Sequence, residues 1–448
     1  MMIRTLSVFV LSGLFLARGA LADPLTLDNY LKKLEASDTE YSGLLLQAEK
    51  ASYYIDSELP TRAFELSLSN ENGQSSDNQD TQTTSLGLSK TILESGTTVS
   101  ATKSLTKSPG RDEDVTEIRL TQSLFKNFLG KNFRLQKNAV ERRQVVEDLQ
   151  AQENIETYLS EKIKGYLDFV QAYSDLKLSE QLVAEAKKLR QFVQEKQRKG
   201  AATATDLKRV QLQEIQRQEE LIGKQQTFDE LVAAISGFIG GEAQVQVPLE
   251  GASIDRQFPF NQSGVDISSL RTYRISYESK EASYFDQQVA ERASYSSLDL
   301  VAGYDIDNST RFSTTTDRQA TVIGFSYSIP LGDTKSAAQL EVARLERTRA
   351  ERELSTTQRD LEVEYKNLKK RLDESKRRVD LSQRKVRLMK DILAEDLRRY
   401  RYGKIDLDSI IELNNSYAQY QFDFSQYQIE YGRVYVDWLN FHDALYRP

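Results

Sequence analysis

Two short stretches hold the residues best placed for chemistry. Residues 399–413 read RYRYGKIDLDSIIEL, and residues 198–210 read RKGAATATDLKRV. Asp406, Asp408 and Glu412 follow Gly403, and Asp206 follows Gly200. Carboxylates in such positions can ligate a cation, but two aspartates at i and i+2 without further ligands make a weak site. They can also accept backbone N–H groups at the start of a helix. On that reading Asp206 caps the helix after the first glycine, and Asp406 or Asp408 the helix after the second.

The remaining inventory argues against an enzyme. His442 is the single histidine, and it stands in an aromatic C-terminal segment where packing accounts for it. There is no cysteine, hence no disulfide framework and no thiolate metal site. No Ser–His–Asp or Cys–His arrangement can be built. Phosphate-loop, zinc-protease and dinucleotide fingerprints are missing. No catalytic residue, metal or cofactor is therefore assigned, and a hydrolase working on carboxylates alone is the one enzymatic alternative left. The formal charge of -7 with no basic block excludes nucleic acid as a natural partner.

The elements that hold the two stretches are unusual. The N-terminus has Arg4, an apolar run from Leu6 to Leu16, and Ala20-Leu21-Ala22. This reads as a secretory signal over 1–22 cleaved before Asp23. The run is well short of the roughly 20 residues of a spanning helix. No later segment is long and apolar enough, so a closed barrel is the one membrane route open to the mature chain. A helix is expected over Leu27 to Leu59, ended by Pro60. Residues 62–125 turn Ser/Thr-rich and alternating, with breaks at NENGQSSDNQD and KSPGRDED, and read as up to four strands. Then come 74 residues, 126–199, without proline. Within them Leu159, Ile163, Tyr166, Val170 and Tyr173 keep the 4-3 spacing of a coiled-coil seam.

The order then repeats. After a connector at 242–264, which holds Pro248 and Pro259, a helix is expected over Val265 to Arg292. Strands SSLDLVAGYDID and QATVIGFSYSIP flank a polar loop, NSTRFSTTTDR. Tyr365, Leu372, Val379, Val386, Leu393 and Tyr400 follow every seventh residue up to the second glycine. The last helix alternates 4 and 3 from Leu413 to Phe441. Helices of such length at 1.5 Å per residue reach about 100 Å, which means coiled coil rather than compact core. The expected organisation is a signal peptide at 1–22, a first repeat at 23–241, a connector at 242–264 and a second repeat at 265–448.

Along the later strands, Leu298, Leu300, Ala302, Tyr304 and Ile306 share a face, as do Ile323, Phe325, Tyr327 and Ile329. The opposite face holds Asp299, Gly303, Asp305, Gly324, Ser326 and Ser328. A barrel wall with lipid outside and water inside has this alternation, and so does a soluble half-buried sheet. One chain supplies fewer strands than the eight of a small barrel, so a barrel would be shared between copies.

These features together resemble the outer-membrane efflux protein family, the TolC-like channels. LTQSLFKNF (120–128) and SYSIPLGD (326–333) resemble its two strand-to-helix junctions. KGAATATDL (199–207) and RYGKIDLDSI (401–410) resemble its two helix turns. The resemblance implies a mainly α chain with a β-barrel part. Three copies share a 12-stranded transmembrane barrel, four strands each, continued by an antiparallel coiled-coil tunnel built from two internal repeats. It implies an outer-membrane location extending into the periplasm and contact with outer-membrane lipid. It further implies a periplasmic adaptor (membrane fusion protein) and an inner-membrane pump of the RND or ABC type. The adaptor would dock at Gly200, Ala201, Ala202 and Thr203, and at Tyr402, Gly403 and Lys404. The pore-narrowing acidic positions fall on Ser409 and Glu412, with Asp408 adjacent, and a gate tyrosine falls on Tyr400. Serine at 409 and isoleucine at 405 depart from the family's acidic and arginine residues. The expected function is a passive exit duct; the alternative is a secreted or periplasmic coiled-coil structural protein without channel activity.

Overall fold

The computed structural model describes residues 25–74, 80–239, 259, 264–312 and 314–446. The expected signal at 1–22 and nearly all of the connector at 242–264 lie outside the described residues. The first helix is three helices, not one: α1 (Leu27–Ser37), α2 (Thr39–Ser52) and α3 (Tyr54–Glu58). Asp38 breaks the run, because its backbone is extended and its carboxylate accepts the Glu40 N–H at 2.8 Å, a local bond that competes with the helix.

Six strands follow the sequence in one antiparallel sheet of order β1-β2-β3-β4-β5-β6. They are β1 (Glu65–Gln74), β2 (Asp80–Ile92), β3 (Thr97–Ser108), β4 (Arg111–Ser123), β5 (Ser297–Arg311) and β6 (Thr314–Ser328). The resemblance implies four strands, and the described residues form six. Two segments expected as polar loops are largely strand. Residues 107–114 hold only the tight turn at Pro109 and Gly110, whose φ is 78°, the left-handed region that suits glycine. Residues 308–318 extend β5 and β6. Serine and threonine serve a water-exposed strand as well as a loop.

The register sorts the side chains. Leu66 lies opposite Leu88, Leu88 opposite Ala101, Ala101 opposite Ile118, and Ile118 opposite Tyr304. One residue along, Ser67, Gly87, Thr102, Glu117 and Asp305 form the matching row on the other face. Among the described residues nothing covers the apolar face: Leu68 is 74% exposed and Phe325 77%.

The long helices are α4 (Lys131–Arg198) and α7 (Thr334–Arg401), 68 residues each. Their partners are α5 (Ala204–Ile239) and α8 (Leu407–Phe441), with α6 (Arg271–Ala293) between the halves. In the α4 seam Leu159, Ile163, Tyr166 and Val170 are buried, and Tyr173 packs against Phe228. In α7, Leu372, Leu393 and Tyr400 are buried, and so is a second column of Leu361, Leu368, Ser375 and Ser382. Among the described residues no helix is long and apolar enough to cross a membrane.

The chain divides into two compact units, each drawing on both halves of the sequence. One comprises Met1–Tyr41, Ser160–Asn261 and Lys370–Trp438. Its aromatic core stacks Tyr30 on Tyr166 at 5.4 Å and Phe169 on Phe228 at 5.6 Å. The Tyr166 hydroxyl donates to the Leu25 carbonyl at 2.8 Å, and burial pushes the phenol up to about 12.

The other unit comprises Ser42–Leu159, Gln262–Lys369 and Leu439–Pro448. It contains the sheet and a buried ionic cluster. Arg271 donates to Glu156 at 3.0 Å and to the Asp443 and Tyr446 carbonyls at 3.3 Å. Glu156 in turn accepts the Leu445 and Tyr446 N–H groups at 2.7 Å, which pins the C-terminal segment. His442 packs between the rings of Tyr365 and Phe441.

Glu153 stands beside this cluster, and burial pushes its carboxyl from 4.5 up to about 7, aided by Asp443. A carboxyl with a raised folded pKa destabilises the fold as it ionises. Stability of this unit should therefore fall as pH rises from about 4.5 to about 7, by on the order of 2 kcal/mol. Glu153→Gln should flatten that slope in thermal melts of the detergent-solubilised protein; an unchanged slope would assign the dependence to other groups.

Candidate functional site

Both glycines end their long helix in the same way. Gly200 has φ 73° and Gly403 φ 70°. The Gly200 N–H donates to Gln197 and the Ala201 N–H to Lys196; the Gly403 N–H donates to Tyr400 and the Lys404 N–H to Arg399. These are two Schellman motifs, which satisfy carbonyls that the helix leaves open. Three residues past each glycine the next helix is capped. After Gly403 the cap is Asp406, whose carboxylate accepts the Ser409 N–H at 2.8 Å. After Gly200 the cap is Thr203 rather than Asp206. The Thr203 hydroxyl accepts the Asp206 N–H at 3.1 Å, and the Asp206 carboxylate accepts the Thr203 N–H at 2.8 Å. This is a capping box with aspartate in the place of glutamate. The hydrogen bonds from Thr203 hold the Asp206 carboxyl below its usual range, and those from Ser409 do the same for Asp406.

The two turns are joined by a small apolar cluster: Leu189, Val193, Val210, Tyr400, Leu407 and Ile410, with Ala202 and Ile405 packed against it. Ala202 and Ile405 each stand two residues after their glycine. Tyr400 is buried in this cluster, edge-on to Phe192 at 5.9 Å. Lys196 donates to the Tyr400 carbonyl at 2.6 Å and lies over the Tyr400 ring at 3.9 Å. Burial lowers the Lys196 pKa. A cation at the C-terminal end of α7 also complements the helix dipole.

A polar ladder continues between α5 and α8. Arg209 holds both oxygens of Asp408, at 2.7 and 2.5 Å. Gln213 and Arg217 both donate to the Asn415 side-chain oxygen, at 3.4 and 2.8 Å. Both partners of the Arg209–Asp408 pair are well exposed, so it contributes a fraction of a kcal/mol at most. Its consequence is electrostatic: the Asp408 charge is countered within its own chain. Glu412 lies one turn further along α8 and is exposed, while Ser409 is half-buried. Ala201, Thr203, Tyr402 and Lys404 are exposed around the turns.

Sequence reasoning placed Thr203 at the turn but gave the cap to Asp206, and it missed Lys196 and Arg209. The equal spacing from glycine to cap, G-A-A-T beside G-K-I-D, is the signal that identifies Thr203. Nothing local identifies Arg209, which is 199 residues from its partner.

No family model and no curated protein matches the chain. Solved structures do. CusC, whose crystal structures are described in terms of folding and transmembrane channel formation, superposes with a TM-score of 0.69 at 12% identity, over 96% of this chain and 95% of that one. VceC, an outer membrane protein of Vibrio cholerae, gives 0.69 at 13%, over 93% and 95%. The MtrE outer membrane channel of Neisseria gonorrhoeae, in its open state, gives 0.69 at 14%, over 95% and 89%. Over nearly its whole length the chain has the fold of TolC-like outer-membrane efflux channels. At these identities the likeness is one of fold.

Removing the first cap should fray the start of α5. Thr203→Ala should cost about 1 kcal/mol and speed amide exchange at Thr205 to Leu207 by roughly fivefold, with Thr203→Ser close to the parent. Equal exchange in the alanine variant would mean that the cap does not hold the turn.

Proposed function

We propose that the chain is the passive outer-membrane duct of a tripartite efflux or type I secretion assembly. Three copies share a β-barrel among outer-membrane lipids, and their long helices form a tunnel in the periplasm. An inner-membrane pump of the RND or ABC type supplies the energy, and a periplasmic adaptor couples it to the turns. The observation that carries this reading is the uncovered apolar face of the sheet. Six strands are fewer than the eight of the smallest membrane barrels, so copies must combine to close one. The likeness in fold supports the same reading.

The constriction then belongs to α8, just past the second turn. Three copies of Glu412 would ring the passage and favour cations. Asp408 contributes less, because Arg209 counters it, and Ser409 brings no charge. Tyr400 sets the position of the turn from within the apolar cluster.

Single-channel recording in a planar bilayer tests the duct, since a coiled-coil structural protein gives no conductance. Native mass measurement should find a trimer in detergent. In a salt gradient Glu412→Gln should lower cation preference severalfold, and Asp408→Asn should lower it less. Glu341→Gln, an exchange on α7 beside Arg344, should change nothing. Identical reversal potentials for the parent and the Glu412 variant would remove Glu412 from the passage.

The docking surface calls for substitutions that spare the glycines, whose positive φ penalises any side chain. A photocrosslinker at Ala201 or Lys404 should trap a periplasmic adaptor identifiable by mass spectrometry. The same probe at Glu341 should not; equal capture at all three sites would count against docking at the turns.

A further inference from the structure

A shared twelve-stranded barrel needs four strands from each chain, and this chain has two more, β1 and β2. Four observations bear on where they belong. Both are long enough to cross a membrane: β1 has 10 residues and β2 has 13, against the 9–11 a spanning strand requires. Both continue the apolar face in register, with Leu66 opposite Leu88 and Leu68 opposite Leu86. Two of the lysines on this face have partners there. Lys90 lies over the Phe64 ring at 4.4 Å, and Lys103 pairs with Asp114 at 3.2 Å.

The join between β2 and β3 is also a full ladder, with eleven residue pairs from Gln82–Lys107 to Ile92–Thr97. On its polar face three hydroxyl pairs, Thr83–Thr106, Ser85–Ser104 and Thr91–Thr98, meet at 3.1 Å. Finally, the turn between β2 and β3 is seated on the junction of β4 with α4. Arg134 donates to the Glu94 carbonyl at 3.2 Å, and Gln122 to the Ser95 carbonyl at 3.0 Å. A Cβ on Gly130 would fall 2.2 Å from the Glu94 carbonyl oxygen, and one on Gly96 2.4 Å from that of Asn127. Backbone meets backbone there without room for a side chain.

We propose that all six strands of each chain form the membrane wall, and that the free edge of β1 pairs with the free edge of β6 in a second copy. This rests on the trimeric duct reading above. The partner is a copy of this chain because the edges match. In an antiparallel sheet of six strands, β1 and β6 run in opposite directions, so their pairing continues the antiparallel order. Both also present the same alternation, Leu66 and Leu68 on β1 matching Ile323, Phe325 and Tyr327 on β6. Folding β1 and β2 away would break the eleven paired positions between β2 and β3, and a second copy would restore partners to β3 but not to β2. Six strands from each of three chains make an eighteen-stranded wall. Barrel diameter grows roughly linearly with strand number, so this wall is about 1.5 times as wide as a twelve-stranded one.

The chain has no cysteine, so introduced pairs report without background. Ser67→Cys or Ser69→Cys on β1, combined with Gly324→Cys or Ser326→Cys on β6, places thiols on the polar face of both edges. In membranes of cells making the full chain, at least one combination should give oxidised dimers and trimers on a non-reducing gel. Ser100→Cys on β3 with either β6 cysteine should give none. Trimers that conduct but crosslink only through β3, or not at all, overturn the β1–β6 seam while leaving the duct standing. Failure of both trimer formation and conductance removes the duct, and the seam with it. A second measurement does not depend on register: Leu68→Arg should cut membrane-inserted trimer at least about tenfold, whereas Ser69→Arg, on the polar face, should leave it near the parent level. Equal levels would place β1 off the lipid face.

Discussion

Peptide groups without hydrogen-bond partners cost several kcal/mol in hydrocarbon and somewhat less in a protein interior, and the architecture of this chain follows from where its partners come from. Inside the sheet the ladders supply them. Along α4 and α7 the helix supplies its own. What remains are the ends of helices and the edges of the sheet. At the ends near Gly200 and Gly403 the chain meets the demand twice in one way, with a left-handed glycine that closes one helix and an oxygen three residues later that opens the next. The outer edges of β1 and β6 pair with no other strand among the described residues, and in the proposed barrel a second copy supplies their partners.

The distribution of charge follows from the same economy. The long helices carry many ion pairs, but most join exposed groups and contribute little each. In the buried cluster around Arg271 the charge is held from several sides. Arg271 reaches Glu156 and three carbonyls, so removing either partner would strand an uncompensated ion. That cluster secures the chain's last described residues through Leu445 and Tyr446. At the turns the Lys196 ammonium is held between a carbonyl and the face of an aromatic ring, and Arg209 offsets Asp408. Glu412 is exposed one turn further along α8, which is why the proposed constriction rests on it.

Much of this was legible in the sequence, because it depends on neighbours close along the chain. The 4-3 and seven-residue spacings specify long helices whatever they pack against, and the glycines mark where those helices reverse. Alternation along SLDLVAGYDI and TVIGFSYSI specifies which residues share a face. Local signals failed where two structures use the same residues. Asp38 interrupts an amphipathic run that otherwise reads as one helix. The charged residues around Pro109 and Gly110, and the serines and threonines at 308–318, suit a loop or a wet strand equally. Ser375 and Ser382 occupy a buried column that a search for apolar residues passes over.

Sequence by itself thus determined the helices, their reversals and the two-faced strands, since periodicity and backbone stereochemistry act within a few residues. Tertiary structure alone decided that six strands join in one sheet, that Asp408 is answered by Arg209, and that Glu156, Arg271 and the C-terminal segment form one cluster. Each of these joins residues more than a hundred positions apart, except for the hairpins that link β1 to β4 and β5 to β6. No local pattern encodes such meetings; they arise when the long helices and the β4–β5 ladder bring distant segments of chain side by side.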